Sequence, residues 1–234
     1  MEERDRSAGL VNEAELEELL VDCPTLFHMA ESGSWASIRE HGLLSTSALL
    51  DALEITGEDR YRLEGQHRPE SVAVNHPKFG RAVIRDQKPM DDAGLRRCLQ
   101  DGLTVEEWYR LLNGRVFFWL TEARLLRLLG AKAYRELEHD VLEIDSRSLV
   151  REYRGSITLC PINSGCTKPM AAPRGKDTFR RIDEYPYGHW KGRRPRGERV
   201  VELAVIGAVP NVSRHVRRVT AMKGTERLRV LWEQ

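Results

Sequence analysis

Helical and strand periodicities fall in different halves of this chain, and that segregation limits its fold more than any other feature. Residues 12–21 and 34–41 carry apolar side chains at helical spacing, and the second run ends in His41-Gly42, where glycine suits the backbone just past a helix. A helix restarts over Ser45 to Leu53. From Glu58 to Met90 the chain turns polar and irregular, punctuated by Gly65, Pro69, Pro77, Gly80 and Pro89, which predicts a long loop region with at most short elements. Regularity returns at Thr104, whose hydroxyl and Glu107 three residues later form a capping-box pattern for a helix reaching Leu112. Arg115 to Leu120 (RVFFWL) has strand character, Thr121 to Gly130 is a Leu-rich amphipathic helix, and further strands are expected at 140–145, 156–159, 199–206, 216–221 and 227–232. Helices followed by strands, without βαβ alternation, predict an α+β fold. One domain is expected over 1–234, with an acidic helical N-terminus at 1–22 and a loop and helix insertion at 58–113. No GxGxxG follows a strand and no GxxxxGK[ST] occurs, which removes the standard dinucleotide-fold and P-loop readings.

The N-terminus lacks the basic start and apolar core of a secretory signal, and no segment approaches a membrane-spanning run, so a cytoplasmic protein without membrane contact is expected. Cys23, Cys98, Cys160 and Cys166 show no CxxC spacing and are read as reduced and structural; a zinc site of Cys160, Cys166 and His189 fits no common ligand spacing, and no metal is expected. The net charge of +1 hides an asymmetry. Residues 1–22 hold eight acids against two arginines, whereas 174–199 hold nine Lys/Arg against four acids. The basic segment, with Tyr185, Tyr187 and Trp190 beside it, has the composition to meet phosphate and stack bases; a solvated basic loop is the plain alternative.

Three segments carry the candidate chemistry. In Leu26-Phe27-His28-Met29-Ala30, a histidine at a strand end could donate to a sugar hydroxyl while the adjacent backbone holds a carboxamide, or it could be a satisfied, partly buried histidine. In the strand from Arg115, either Phe117 or Phe118 faces a cleft and offers a flat ring, since adjacent strand residues point oppositely; core packing is the alternative. In Val200-Val201-Glu202-Leu203-Ala204-Val205 an acid sits inside an apolar strand, where it needs a partner, a cleft, or a solvated face beside Glu198.

In their order along the chain these segments resemble the core motifs of ADP-ribosyltransferases, closest to the DarT-type group of DNA-targeting toxins and related bacterial proteins. The resemblance lies in the His28 strand with its Ile38-Arg39-Glu40-His41-Gly42-Leu43 helix end, the VFFW strand and the late Val-Glu-Leu-Ala-Val strand; the first motif departs from the more usual His-Ile-Thr in reading His-Met-Ala. It implies split mixed or antiparallel sheets with flanking helices, NAD as co-substrate and transfer of ADP-ribose to a macromolecule, nucleic acid above all. It also implies Glu202 as catalytic carboxylate, His28, Met29 and Phe117 or Phe118 as donor-binding residues, and a catalytic arginine in the inserted region, Arg68 first and Arg85 second. The loops with Asn163, Ser164, Arg174, Lys176 and Thr178 fall where that family keeps its substrate loop. A cognate antitoxin or an ADP-ribose hydrolase is the partner such toxins imply. NAD hydrolysis, or nucleotide or nucleic-acid binding without catalysis, are the competing functions.

Overall fold

Between Thr25 and Glu31 the run TLFHMAE forms β1, an interior strand of the computed structural model, which describes residues 13–77 and 80–234. Ahead of it α1 (Glu13–Asp22) buries Leu16, Leu19 and Leu20; residues 1–12, the rest of the predicted acidic segment, lie outside the described residues. After it come α2 (Trp35–His41), β2 (Leu43–Leu44) and α3 (Thr46–Ala52). Gly42 ends α2 with φ 84°, and a Cβ there would lie 2.5 Å from Cα of Pro210, so glycine is required by both torsion and space.

The stretch 58–90 is more ordered than its composition predicts. It contains most of α4 (Gly57–Glu64) and a hairpin of β3 (Val72–His76) with β4 (Gly80–Ile84). GEDRYRLE lacks an apolar stripe, and α4 is tied down instead by Arg60, which pairs with Glu64 one turn on and with Asp51 of α3. Then follow α5 (Asp92–Cys98), capped by Asp91, and α6 (Val105–Asn113), which carries the expected Thr104–Glu107 capping box. β5 (Arg115–Trp119), α7 (Glu122–Leu129) and β6 (Glu138–Asp145) lie where the periodicity puts them. An unanticipated helix, α8 (Ser146–Tyr153), capped by Asp145, leads to β7 (Ile157–Cys160). Beyond a long loop come β8 (Arg180–Arg181), the short α9 (Tyr187–Lys191), β9 (Glu202–Ile206), β10 (Ala208–Val209), β11 (Val216–Lys223) and β12 (Glu226–Glu233).

Eight of these strands form an antiparallel sheet in the order β12-β11-β6-β1-β5-β9-β7-β8. β1 pairs along its length with β6, and β5 along its length with β9, yet β1 and β5 share only the pair Phe27↔Trp119. Past that pair the two strands separate, and the sheet opens into a wedge. One face carries the main core, with Leu26, Phe118, Leu142, Ile144, Leu203 and Val205 packed against the leucines of α1 and α8. Phe117 and Ala204 join Met90, Trp108 and Phe179 in a second apolar cluster. The chain is thus a single α+β domain of antiparallel sheets with flanking helices. Among the described residues no helix is long and apolar enough to cross a membrane.

Candidate functional site

The wedge between β1 and β5 opens into a cleft of about 660 Å³, lined among others by His28, Met29, Arg68, Arg85, Phe117, Phe118, Asn163, Ser164 and Glu202. Residues separated by up to 174 positions thus meet in one cavity because β1, β5 and β9 are neighbours.

Glu202 opens β9 opposite Trp119, and strand pairing puts it on the same face as Trp119, Ala204 and Phe117. Only 4% of it is exposed, so it does not face water beside Glu198, which pairs with Arg124 instead. Its carboxylate accepts from Ser164 N at 3.1 and 3.2 Å and from Ser164 Oγ at 2.6 Å. Burial pushes the carboxyl up to about 7; the two Ser164 hydrogen bonds and the charges of Arg174 and Arg124 act in the opposite direction. The result is a carboxyl that exchanges its proton near neutrality inside a cleft.

His28 spans the wedge near its vertex. Its Nδ1 lies 2.9 Å from the carbonyl oxygen of Phe117, which can only accept, so Nδ1 carries the proton and Nε2 is left as an acceptor. Burial lowers the imidazole to about 4; the Phe117 hydrogen bond resists this and the Arg85 charge adds to it. His28 is therefore neutral at pH 7 with Nε2 as an acceptor, which does not fit the donor role expected from sequence.

Strand pairing puts the two phenylalanines, both of which line the cleft, on opposite faces of the sheet. Phe118 is 1% exposed and belongs to the main core, although its ring centroid is 5.7 Å from that of His28. Phe117 is half-buried on the Glu202 face. Met29 also lines the cleft while packing beside Phe27, Leu125 and Leu129.

The two candidate arginines differ in how they are held. Arg68 is 6% exposed and spends its guanidinium on the fold: Nε donates to Arg85 O at 3.1 Å, Nη2 to Asn113 Oδ1 at 2.8 Å, and Nη1 to Leu63 O. It ties the chain just after β4 to α4 and α6, and each of its three nitrogens already donates within the fold. Arg85 is the more open group: Nη1 is 3.8 Å from Glu31 and 3.4 Å from His139 Nδ1, the guanidinium lies 5.7 Å from the Tyr134 ring, and its buried Nε has no partner.

The loop expectations divide. Asn163 and Ser164 line the cleft. Arg174, 1% exposed, lies behind them, donating to Ser164 O (2.7 Å), Cys166 O (2.8 Å) and Ala172 O (3.1 Å) and packing over Trp108; it shapes the loop and cannot cradle a phosphate. Lys176 and Thr178 are not among the cleft-lining residues: Lys176 N donates to Asp101, and Thr178 Oγ1 accepts from Gly175 N. Glu31, Asp86 and Tyr134 also line the cleft and escaped the sequence reading, as did Arg115, taken only as the first residue of the aromatic strand; Tyr134 Oη donates to Asp86 at 2.7 Å. Tyr134 sits in AKAYRELEHD, where no pattern separates it from a surface residue.

Part of the basic segment meets the acidic helix. Glu18 pairs with Lys191 and Arg199 at 2.5 Å each, and Asp22 accepts from Tyr187 Oη at 3.1 Å and lies 3.7 Å from Arg199. Arg180, Arg181 and Arg193 stay exposed. The four cysteines are free thiols, and among the described residues no group of three His, Cys, Asp or Glu is placed to hold a metal ion.

A family described as a family of unknown function, DUF7002, matches this chain over residues 24–216. The chain belongs to the DUF7002 family. The DUF7002 match runs from Pro24, just ahead of β1, to the first residue of β11, and so covers every cleft residue named above. No curated protein and no solved structure matches the chain.

Proposed function

We propose that this DUF7002 protein is an NAD-dependent ADP-ribosyltransferase whose split sheet is a form of the ADP-ribosyltransferase fold. The observation that carries the reading is the buried carboxyl of Glu202 near the vertex of a wedge, on the face of Phe117, in a cleft that the neutral His28 also lines. A cleft of about 660 Å³ with apolar walls and a few convergent polar groups suits a ligand of dinucleotide size. NAD supplies a glycosidic carbon that gains positive charge as nicotinamide leaves.

The chain's residues fit that chemistry. Glu202, once ionised, offsets positive charge at the reacting carbon or accepts a proton from the incoming nucleophile, and Ser164 holds it in place. Phe117 offers a ring face to the leaving aromatic group. His28 Nε2 accepts from a ribose hydroxyl. Arg85 takes the role that Arg68 cannot, holding a phosphate of the donor by charge-assisted hydrogen bonds. Nucleic acid is the proposed acceptor, approached through the exposed Arg180, Arg181 and Arg193.

The test is incubation of the purified protein with NAD and, separately, single-stranded DNA, duplex DNA, RNA and protein lysate, with Glu202→Ala as control. Nicotinamide release and an ADP-ribose mass increment that both vanish in the variant support transfer and name the acceptor class. Release without an increment makes the protein an NAD hydrolase, and neither signal refutes enzymatic use of NAD.

A further inference from the structure

One cleft residue has no place in the chemistry above. On β5, Arg115, Phe117 and Trp119 alternate onto one face, paired with Ile206, Ala204 and Glu202 of β9. Four residues of strand put the Arg115 backbone about 13 Å from that of Trp119, toward the open mouth of the wedge. The opposite arm of that mouth is the end of β1, where Glu31 approaches Arg85.

The surroundings of Arg115 are unusual for a half-buried cation. Nη1 donates to Leu111 O at 2.6 Å and the guanidinium lies 4.7 Å from the centre of the Phe179 ring. Nε is buried without a partner, and among the described residues neither a carboxylate nor any acceptor for Nη2 is within bonding distance. Arg68, also buried, has a carbonyl or amide oxygen as partner for each of its three nitrogens. Holding a charge in a cleft wall with donors unspent is costly unless something anionic completes it.

We propose that Arg115 forms an anion subsite that takes a phosphate oxygen on the β5 arm of the wedge, across the mouth from Arg85. The planar guanidinium, fixed by Phe179 and Leu111 O, leaves Nη2 to donate to a phosphate oxygen, whose negative charge also offsets that of the group around the buried Nε. Two sources share this chemistry: a phosphate of the donor dinucleotide, which rests on the function proposed above, and a phosphate of the acceptor.

The experiment titrates inorganic pyrophosphate, ADP-ribose, adenosine and a 5′-phosphorylated oligonucleotide into wild type, Arg115→Gln and Arg115→Lys, with melting temperatures as a check on folding. Pyrophosphate affinity is expected to fall about tenfold or more in Arg115→Gln and to recover in part in Arg115→Lys, with adenosine unaffected. A parallel loss for ADP-ribose assigns the subsite to the donor; unchanged ADP-ribose with weakened oligonucleotide binding assigns it to the acceptor. Wild type that binds neither pyrophosphate nor the oligonucleotide, a variant that binds pyrophosphate as well as wild type, or equal weakening of adenosine each overturns the subsite. Pyrophosphate binding that depends on Arg115 in a protein that releases no nicotinamide leaves the subsite standing and removes the NAD reading alone.

Discussion

Replacing Glu202 by Gln should stabilise the protein in a pH-dependent way. Burial lifts the carboxyl from an ordinary 4.5 to about 7. Between those values the folded chain holds a proton that the unfolded chain has released, so wild-type stability is fully present below about 4.5 and declines as pH rises through 7. Each pKa unit corresponds to about 1.4 kcal/mol, which makes the loss on the order of 3 kcal/mol by pH 8. Gln keeps the shape and an acceptor for Ser164 but has nothing to ionise. Thermal melts of both proteins from pH 5 to pH 8.5 isolate the residue, because every other titrating group cancels in the difference. For a chain of this size about 3 kcal/mol corresponds to roughly 6–12 °C, so Glu202→Gln should outlast wild type by that margin at pH 8 and by little at pH 5. A difference that stays constant across the range would refute the claim that Glu202 is held partly protonated by its surroundings.

Four further outcomes follow from the same geometry. Arg68→Ala should lower stability by about 2–4 kcal/mol by stranding buried carbonyl oxygens, whereas Arg85→Ala should melt within a few degrees of wild type and lose NAD turnover; chemical denaturation and nicotinamide release separate the two. Arg174→Met should free the 163–166 loop, costing about 2–4 kcal/mol by denaturation and slowing turnover through a displaced Ser164. Ser164→Ala removes a group that lowers the Glu202 pKa, so the acidic limb of a rate against pH profile, expected near 7 in wild type, should move to higher pH. No second limb from His28 should appear above pH 5, because its imidazole titrates near 4.

The catalytic candidate was legible because it breaks a pattern. An acid inside VVELAV violates the apolar run of a buried strand, and a violation of that kind demands a cleft or a partner. Glu202 has both. The α+β arrangement was legible for a similar reason, since long periodic segments such as α6, with its capping box, and β5 declare themselves locally. The placements of Arg68 and Arg85 were not legible: both lie in the same polar stretch and both line the cleft, and only the fold decides which guanidinium is tied to carbonyl oxygens and which keeps a nitrogen without a partner. Arg174 was misjudged in the same way, as a loop cation that turns out to be the loop's internal brace. The hairpin and α4 stayed hidden because ion pairs, not apolar spacing, fix α4. Likewise, nothing in the separate acidic and basic stretches says that Glu18 and Asp22 will spend their charge on Lys191 and Arg199.

Where β1 and β5 part company, each strand keeps one edge with no neighbour to hydrogen-bond, and those edges form the walls of the cleft. The carbonyl of Phe117 on the β5 wall is claimed by His28, and that of Glu31 at the end of β1 by Ser34 N. Main-chain groups along these walls that no neighbouring strand takes have the arrangement with which a missing strand, or the planar amide of a ligand, would pair. Recognition through those groups is written in the backbone itself. Side-chain replacement cannot erase it, so alanine substitutions along the wedge should weaken a carboxamide-bearing ligand less than deformation of the Phe27–Trp119 junction that sets the width between the walls.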